Sequence, residues 1–227
     1  AAPPELADED KDALFLKTEI GQATAKMLQD WEAEDPAVRE LWQKMNSWVF
    51  DGFAKTYERM GVQFDSWAGE SFYEDKMAPV IEELQQKGIS RVDSGATIVD
   101  LSEWNMPPCL ILKSDGSTIY ATRDLAAACY RKETYDFAKL LYVVAYQQDL
   151  HFKQIFKVLE LMGRAWVKDC VHVNFGMVSM EGGAFHTREG KVLYLDDVLD
   201  AAVEKTYEII CEKSPDLEDK RSAAEAV

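Results

Sequence analysis

Strand-type and helix-type segments alternate through the second half of the sequence, and this alternation limits the chain to few folds. The run LLYVVAY (140–146) is a continuous apolar stretch typical of a buried strand, and VHVNFGMVSM (171–180) is a second β-rich run. Helical patterns follow at 151–163 and from Asp196 or Asp197 onwards. Such alternation predicts an α/β fold with a parallel sheet, in which ligands bind beyond the carboxyl ends of the strands.

The first 90 residues have a helical pattern instead. Apolar residues at three- and four-residue steps predict an amphipathic helix within 1–35 and a second helix over about 36–60, which Asp35-Pro36 begins and Gly61 ends. Residues 77–87 return to the same pattern. The region is therefore expected to be helical.

Short β-rich runs lie between the two halves. ATIVDL (96–101) and CLILK (109–113) are separated from Thr118-Ile119-Tyr120 by turn formers at 114–117, which predicts a small antiparallel unit. Residues 122–132 are helical by composition, and VLYL (192–195) resembles a further short strand. The sequence ends in a predicted last helix.

Charge and cysteine content restrict the classes of function. The 25 Lys and Arg residues against 41 Asp and Glu residues give a net charge of −16, which would repel a phosphate backbone if it were spread evenly. No run approaches the roughly 18 apolar residues of a membrane-spanning helix, and the acidic first ten residues do not resemble a secretory signal. Apolar surroundings of the four cysteines (Cys109, Cys129, Cys170 and Cys211) favour buried thiols over disulfides or zinc. A cytoplasmic protein that does not bind membranes is expected.

Tyr120 and Asp124 form the first candidate constellation. If a helix begins near Thr122, the two residues lie about one turn apart, so a phenol and a carboxylate could face one pocket. A carboxylate can accept two parallel hydrogen bonds from a planar guanidinium, which selects it over an ammonium. The spacing alone favours the alternative, in which Asp124 caps the helix or is solvated and Tyr120 is a core residue.

Two further polar segments follow predicted strands. Gln148 and His151 come directly after the 140–146 run and begin a helix, where they could reach a ligand or serve as ordinary structural residues. The loop EGGAFHTREGK (181–191) could close on an anionic group or be a surface hairpin. The sequence contains no P-loop, dinucleotide fingerprint, zinc-ligand spacing or nucleophile elbow, and no metal site is predicted.

Taken in order, long segments of the chain resemble the catalytic core of arginyl-tRNA synthetase, a class I aminoacyl-tRNA synthetase. The segments that carry the resemblance are MNSWVFDGFAKTYERMGVQFDS (45–66), GESFYEDKM (69–77), PPCLILKSDGSTIYATRDLAAA (107–128), LLYVVAYQQDLHFKQIFKVLELMG (140–163), VHVNFGMVSM (171–180) and LDDVLDAAVEKT (195–206). Several long segments in the right order are far more specific than one short motif. The resemblance implies activation of arginine with ATP and Mg²⁺, without a tightly bound cofactor, and transfer of the arginyl group to tRNA.

The resemblance also implies roles for individual residues. Tyr120 and Asp124 match positions that hold the guanidinium of arginine, and Gln148 matches a third contact to the amino acid. His151 matches a position near the nucleotide. The roles implied for the signature loop are catalytic for Thr187 and Arg188, and ATP-binding for His186, Arg188 and Lys191.

The signature loop departs from the family pattern. The family motif is close to Lys-Met-Ser-Thr-Arg-Lys-Gly, whereas this chain has Ala-Phe-His-Thr-Arg-Glu-Gly at 184–190, so only Thr187, Arg188 and Gly190 agree. We therefore expect slower activation, or compensation by other groups. A non-catalytic paralogue that binds arginine or a protein partner is the alternative, and a structural domain without a ligand is a third hypothesis.

The family's His-x-Gly-His motif is absent from residues 1–227, and so is its helical anticodon-binding domain. The chain is accordingly expected to be an inactive fragment that contacts tRNA mainly through segments outside it. The expected fold is the second half of a Rossmann-like parallel sheet with an N-terminal helical region and a small antiparallel insertion. Expected domains are a helical part at 1–90, the nucleotide-binding half with the arginine pocket and signature loop at 91–213, and the start of a helical region at 214–227.

Overall fold

The computed structural model describes residues 14–177 and 194–226. The chain divides into two compact units, one formed by residues 1–64 and 192–227 and the other by residues 65–191. Within the described ranges, no helix is both long enough and apolar enough to cross a membrane.

Helices make up the first unit, and the second unit mixes helices with two small sheets. The helices are α1 (Glu19–Glu32), α2 (Pro36–Arg59), α3 (Met77–Gln86), α4 (Tyr120–Tyr135), α5 (Asp149–Leu161), α6 (Leu195–Lys213) and α7 (Lys220–Ala226). The strands are β1 (Ser90–Asp93), β2 (Ala96–Val99), β3 (Cys109–Leu112), β4 (Leu140–Val143) and β5 (Cys170–Val173). The predicted helices over 36–60, 77–87 and 151–163 are confirmed to within two residues at each end.

Side-chain caps fix where α1 and α2 begin. The Thr18 hydroxyl accepts a hydrogen bond from the Gly21 amide at the start of α1, at 3.0 Å. At the start of α2, one Asp35 carboxylate oxygen accepts from the amides of Ala37 (3.0 Å) and Val38 (3.1 Å). These amides have no partner within the helix, so the caps satisfy donors that would otherwise need water.

The cap at Asp35 gives a first testable prediction. Replacement by alanine removes both hydrogen bonds and is expected to destabilise the helical unit by about 1 kcal/mol. Amide hydrogen exchange should then be faster at Ala37 and Val38 in particular. Glu40→Ala, an exposed change within α2, is the control, and equal exchange in the two variants would contradict the prediction.

Ion pairs join three helices of the first unit. Arg59, at the end of α2, lies 2.8 Å from a carboxylate oxygen of Asp200 and 3.5 Å from one of Asp196, both on α6. Glu225 of α7 lies 3.9 Å from the same guanidinium. These partners keep the pKa of Arg59 above its usual value, chiefly through the hydrogen bond that its guanidinium donates to Asp200.

The second unit contains both predicted kinds of sheet. β1, β2 and β3 form an antiparallel sheet in that order, which confirms the small antiparallel unit, and Leu112 pairs with Thr118 in an isolated antiparallel bridge. β4 and β5 pair in parallel, with Leu140 opposite Cys170 and Val143 opposite Val173. β1 was not predicted, because its SRVD sequence is short and mostly exposed.

Helix α4 lies within the core of the second unit. Its buried residues pack in one cluster with residues of α3, α5, β2 and β3. The largest side chains without any exposed surface are Leu84, Leu101, Ile111, Leu125, Ile155 and Leu159. Because so much of α4 is buried, its position relative to β3 and α5 is determined by core packing.

Three sequence predictions need correction. The run at 140–146 was expected to be fully buried, yet Leu141 and Val143 of β4 are 55% and 65% exposed and only Tyr142 between them is buried. Alternate residues of a strand point to opposite faces, and the Tyr142 face is the one that packs on α5. Leu195 is the first residue of α6 rather than the end of a strand, and Cys211 is exposed, unlike the other three cysteines.

Candidate functional site

The four candidate residues of the described chain line one cavity. Tyr120 and Asp124 lie one turn apart on α4, Gln148 ends a short 3₁₀ turn after β4, and His151 is in the first turn of α5. The cavity has a volume of about 380 Å³, within the range of roughly 300–1,000 Å³ that is typical of small-molecule sites. Segments separated by more than 20 residues therefore meet at one cavity.

The start of α4 is attached to β3 through a buried residue. The Thr122 hydroxyl donates a hydrogen bond to the Ile111 carbonyl, and the Thr122 side chain is fully buried. Since Thr122 lies between Tyr120 and Asp124 in sequence, its contact with β3 fixes the helix while its neighbours line the cavity. The helix itself begins at Tyr120, two residues before the predicted start.

Asp124 and His151 are in direct contact. The Nε2 atom of His151 lies 2.6 Å from an Asp124 carboxylate oxygen, and the His151 ring contacts the Tyr120 ring at 4.8 Å between centroids. Exposure falls from 61% for Tyr120 to 35% for the Asp124 side chain and 8% for His151. The acidic group is thus accessible from the cavity, whereas the histidine beneath it is held in place.

The cationic residue next to Asp124 in sequence does not pair with the Asp124 carboxylate. Arg123, the next residue back on α4, donates instead to Glu70 at 2.7 Å. The amide side chain of Gln148 adds a neutral donor and acceptor to the same cavity. A carboxylate flanked by a phenol, an amide and an imidazole suits a ligand with several N–H donors and a positive charge.

The structure adds lining residues that the sequence patterns did not indicate. Besides the candidate residues, the cavity is lined by Arg131, Tyr142, Val144 and Phe152. The Tyr142 ring packs against Phe152 at 4.7 Å between centroids, and the Arg131 guanidinium lies 5.6 Å from the Tyr142 ring centroid. Burial raises the pKa of Tyr142, so that its hydroxyl stays protonated and can donate a hydrogen bond.

A helical projection could have indicated one of these residues. Arg131 lies seven residues after Asp124, which is two helical turns, so it shares the face of α4 that lines the cavity. Tyr142 gives a weaker signal, since a tyrosine in an apolar run is commonly a core residue. Its hydroxyl is buried without a partner at hydrogen-bond geometry among the described residues.

The signature-loop candidates are outside the described residues. His186, Thr187, Arg188 and Lys191 all belong to the range 178–193. Their predicted roles in catalysis and ATP binding stay predictions. Within the described residues, no group of three or more His, Cys, Asp or Glu side chains could hold a metal ion.

Comparison with known proteins identifies the family. A family model described as tRNA synthetases class I (R), catalytic domain, matches residues 6–227. An arginine–tRNA ligase of Halothermothrix orenii is 54% identical over 196 residues, which are 86% of this chain and 35% of that protein. An arginine–tRNA ligase of Clostridium botulinum (strain Alaska E43) is 48% identical over 224 residues, which are 99% of this chain and 37% of that protein. The chain thus spans about a third of the length of these curated relatives.

A solved structure supports the fold assignment. The arginyl-tRNA synthetase of Plasmodium falciparum superposes with a TM-score of 0.74 at 20% identity, covering 91% of this chain and 35% of that one. At this identity the likeness shows the fold, and it confirms the predicted fold class. Because the family model covers nearly the whole sequence, the chain belongs to the class I tRNA synthetases (R), within their catalytic domain.

Proposed function

We propose that this chain forms the arginine-binding part of an enzyme that activates L-arginine with ATP and transfers it to tRNA in the cytoplasm. The observation that carries the proposal is the Asp124 carboxylate, which faces a cavity together with Tyr120 and Gln148. The matched relatives are arginine–tRNA ligases, which supports the same substrate. Residues 91–213 would hold the arginine pocket and the signature loop, after a helical part at 1–90 and before a further helical region from 214.

Three polar groups of the cavity have roles in this proposal. Asp124 would accept hydrogen bonds from the guanidinium, whose planar N–H donors fit a carboxylate. The Tyr120 phenol and the Gln148 amide would bind further atoms of the amino acid. A lysine side chain is shorter than that of arginine, and its ammonium has a different donor geometry. Bound lysine would therefore leave some of these groups without hydrogen-bond partners, and this free-energy penalty gives selectivity for arginine.

The chemical steps require positioning of the substrates rather than a covalent enzyme intermediate. A carboxylate oxygen of arginine attacks the α-phosphorus of ATP, supplied as its Mg²⁺ complex, and pyrophosphate leaves. A hydroxyl at the 3′ end of tRNA then attacks the carbonyl carbon of the adenylate, and AMP leaves. Residues of this chain would contribute by holding arginine still, while Thr187, Arg188, His186 and Lys191 are the proposed contacts to the phosphates.

Calorimetric titration of the chain with arginine, citrulline and lysine tests the proposed function. Citrulline keeps the shape of arginine but replaces the charged guanidinium by a neutral ureido group. We expect arginine to bind at least about 30-fold more tightly than citrulline, because a charged hydrogen-bonded pair contributes roughly 2 kcal/mol or more. We also expect arginine to bind more tightly than lysine. No arginine binding, or equal affinity for arginine and citrulline, would contradict the proposal.

A further inference from the structure

The contact between His151 and Asp124 points to a role for the histidine in arginine selection. We propose that His151 is a positioning residue, which holds Asp124 ready for the guanidinium. The inference rests on the proposed function, since it concerns the same pocket. It differs from the predicted contact between His151 and ATP, which it neither requires nor replaces.

The direction of the hydrogen bond follows from the chemistry of the two groups. An ionised carboxylate can only accept, so the Nε2 atom of His151 carries the proton and donates to Asp124 across 2.6 Å. Ring contacts with Tyr120 at 4.8 Å and Phe152 at 5.1 Å hold the imidazole. His151 is therefore a fixed donor, and the partly exposed Asp124 is the group whose orientation it determines.

Holding Asp124 in one orientation leaves most of its acceptor capacity available. A carboxylate has about four acceptor positions, and His151 occupies one of them. The others remain for a guanidinium that enters from the cavity. Without His151, the Asp124 side chain would have to be ordered on binding, which typically weakens affinity by about 3- to 10-fold.

Calorimetric titrations with arginine near pH 8 distinguish positioning from mere packing. His151→Gln retains a donor, because the glutamine Nε2 can occupy the place of the histidine Nε2. His151→Leu removes the donor. The control is Lys153→Gln, an exposed change on the same helix.

We expect His151→Leu to bind arginine about 3- to 10-fold more weakly near pH 8, and His151→Gln to bind within about 2-fold of the unaltered chain. Lys153→Gln should bind arginine as tightly as the unaltered chain. If His151→Leu fails to fold, His151→Phe takes its place, because it keeps an aromatic ring beside Tyr120 and Phe152 but has no donor.

Some outcomes would overturn the inference. Full affinity of a folded variant without the donor, or an equal loss of affinity in that variant and in His151→Gln, would do so while leaving the proposed function intact. If the unaltered chain does not bind arginine at all, both the proposed function and this inference are wrong.

Discussion

Arginine affinity is expected to fall about 30- to 150-fold when Asp124 is replaced by asparagine, which corresponds to about 2–3 kcal/mol. Asparagine keeps the size of the side chain and one acceptor oxygen, but it removes the negative charge. It also places an NH₂ group where the guanidinium and His151 Nε2 both present N–H donors. The change therefore removes a charged hydrogen bond. It also brings the NH₂ donor of asparagine close to the N–H donors of the guanidinium and of His151.

Calorimetry of Asp124→Asn with arginine measures this effect directly. The matched control is Glu133→Gln, which removes the same charge from an exposed position on α4 and should leave affinity unchanged within about 2-fold, since separated surface charges are screened. Equal affinities of the two variants would mean that net charge, and not the Asp124 contact, determines binding. Citrulline further tests whether the charged contact with Asp124 is responsible. Asp124→Asn should change the affinity for neutral citrulline far less than the affinity for arginine.

A second large effect is expected in the core. Leu125 has no exposed surface and belongs to the cluster that includes Ile111 and Ile155. Leu125→Ala removes three carbon atoms from this cluster and leaves a cavity, so the free energy of unfolding of the second unit should fall by about 3 kcal/mol, within the roughly 2–5 kcal/mol of such changes. Amide exchange along α4 provides the measurement, since it reports on this unit without requiring the whole chain to unfold in one step.

Leu141→Ala is the matched control for the core change. The same substitution is made in the same unit, but Leu141 is 55% exposed, so the loss should be no more than about 1 kcal/mol. Similar exchange rates in the two variants would show that the stability of α4 does not depend on its buried side chains. The prediction would then be wrong even if both proteins were folded.

The sequence predicted the elements around the cavity well because their signals are local. A 3.6-residue period places Tyr120 and Asp124 on one face of a helix whatever it packs against, and Gln148 and His151 follow a strand-type run. Their meeting in one cavity is visible in the structure, while the binding roles stay predictions.

Features that depend on tertiary contacts could not be predicted in this way. The exposed faces of Leu141 and Val143 depend on which side of β4 a helix covers, and composition carries no information about that. The hydrogen bond between His151 and Asp124 joins residues 27 positions apart, and no spacing rule connects them. His151 was assigned to the nucleotide through the family resemblance, whereas the contact that it makes with Asp124 is visible only in three dimensions.

The bond from Thr122 to the Ile111 carbonyl has a consequence for engineering. Any library that seeks to recode the pocket for another amino acid will naturally randomise the helix turn from 120 to 124. Thr122 is the position within that turn that faces β3, so varying it would move the whole turn and mix changes of register with changes of selectivity. A design that keeps Thr122 constant while diversifying its neighbours would sample new specificities on an unchanged backbone.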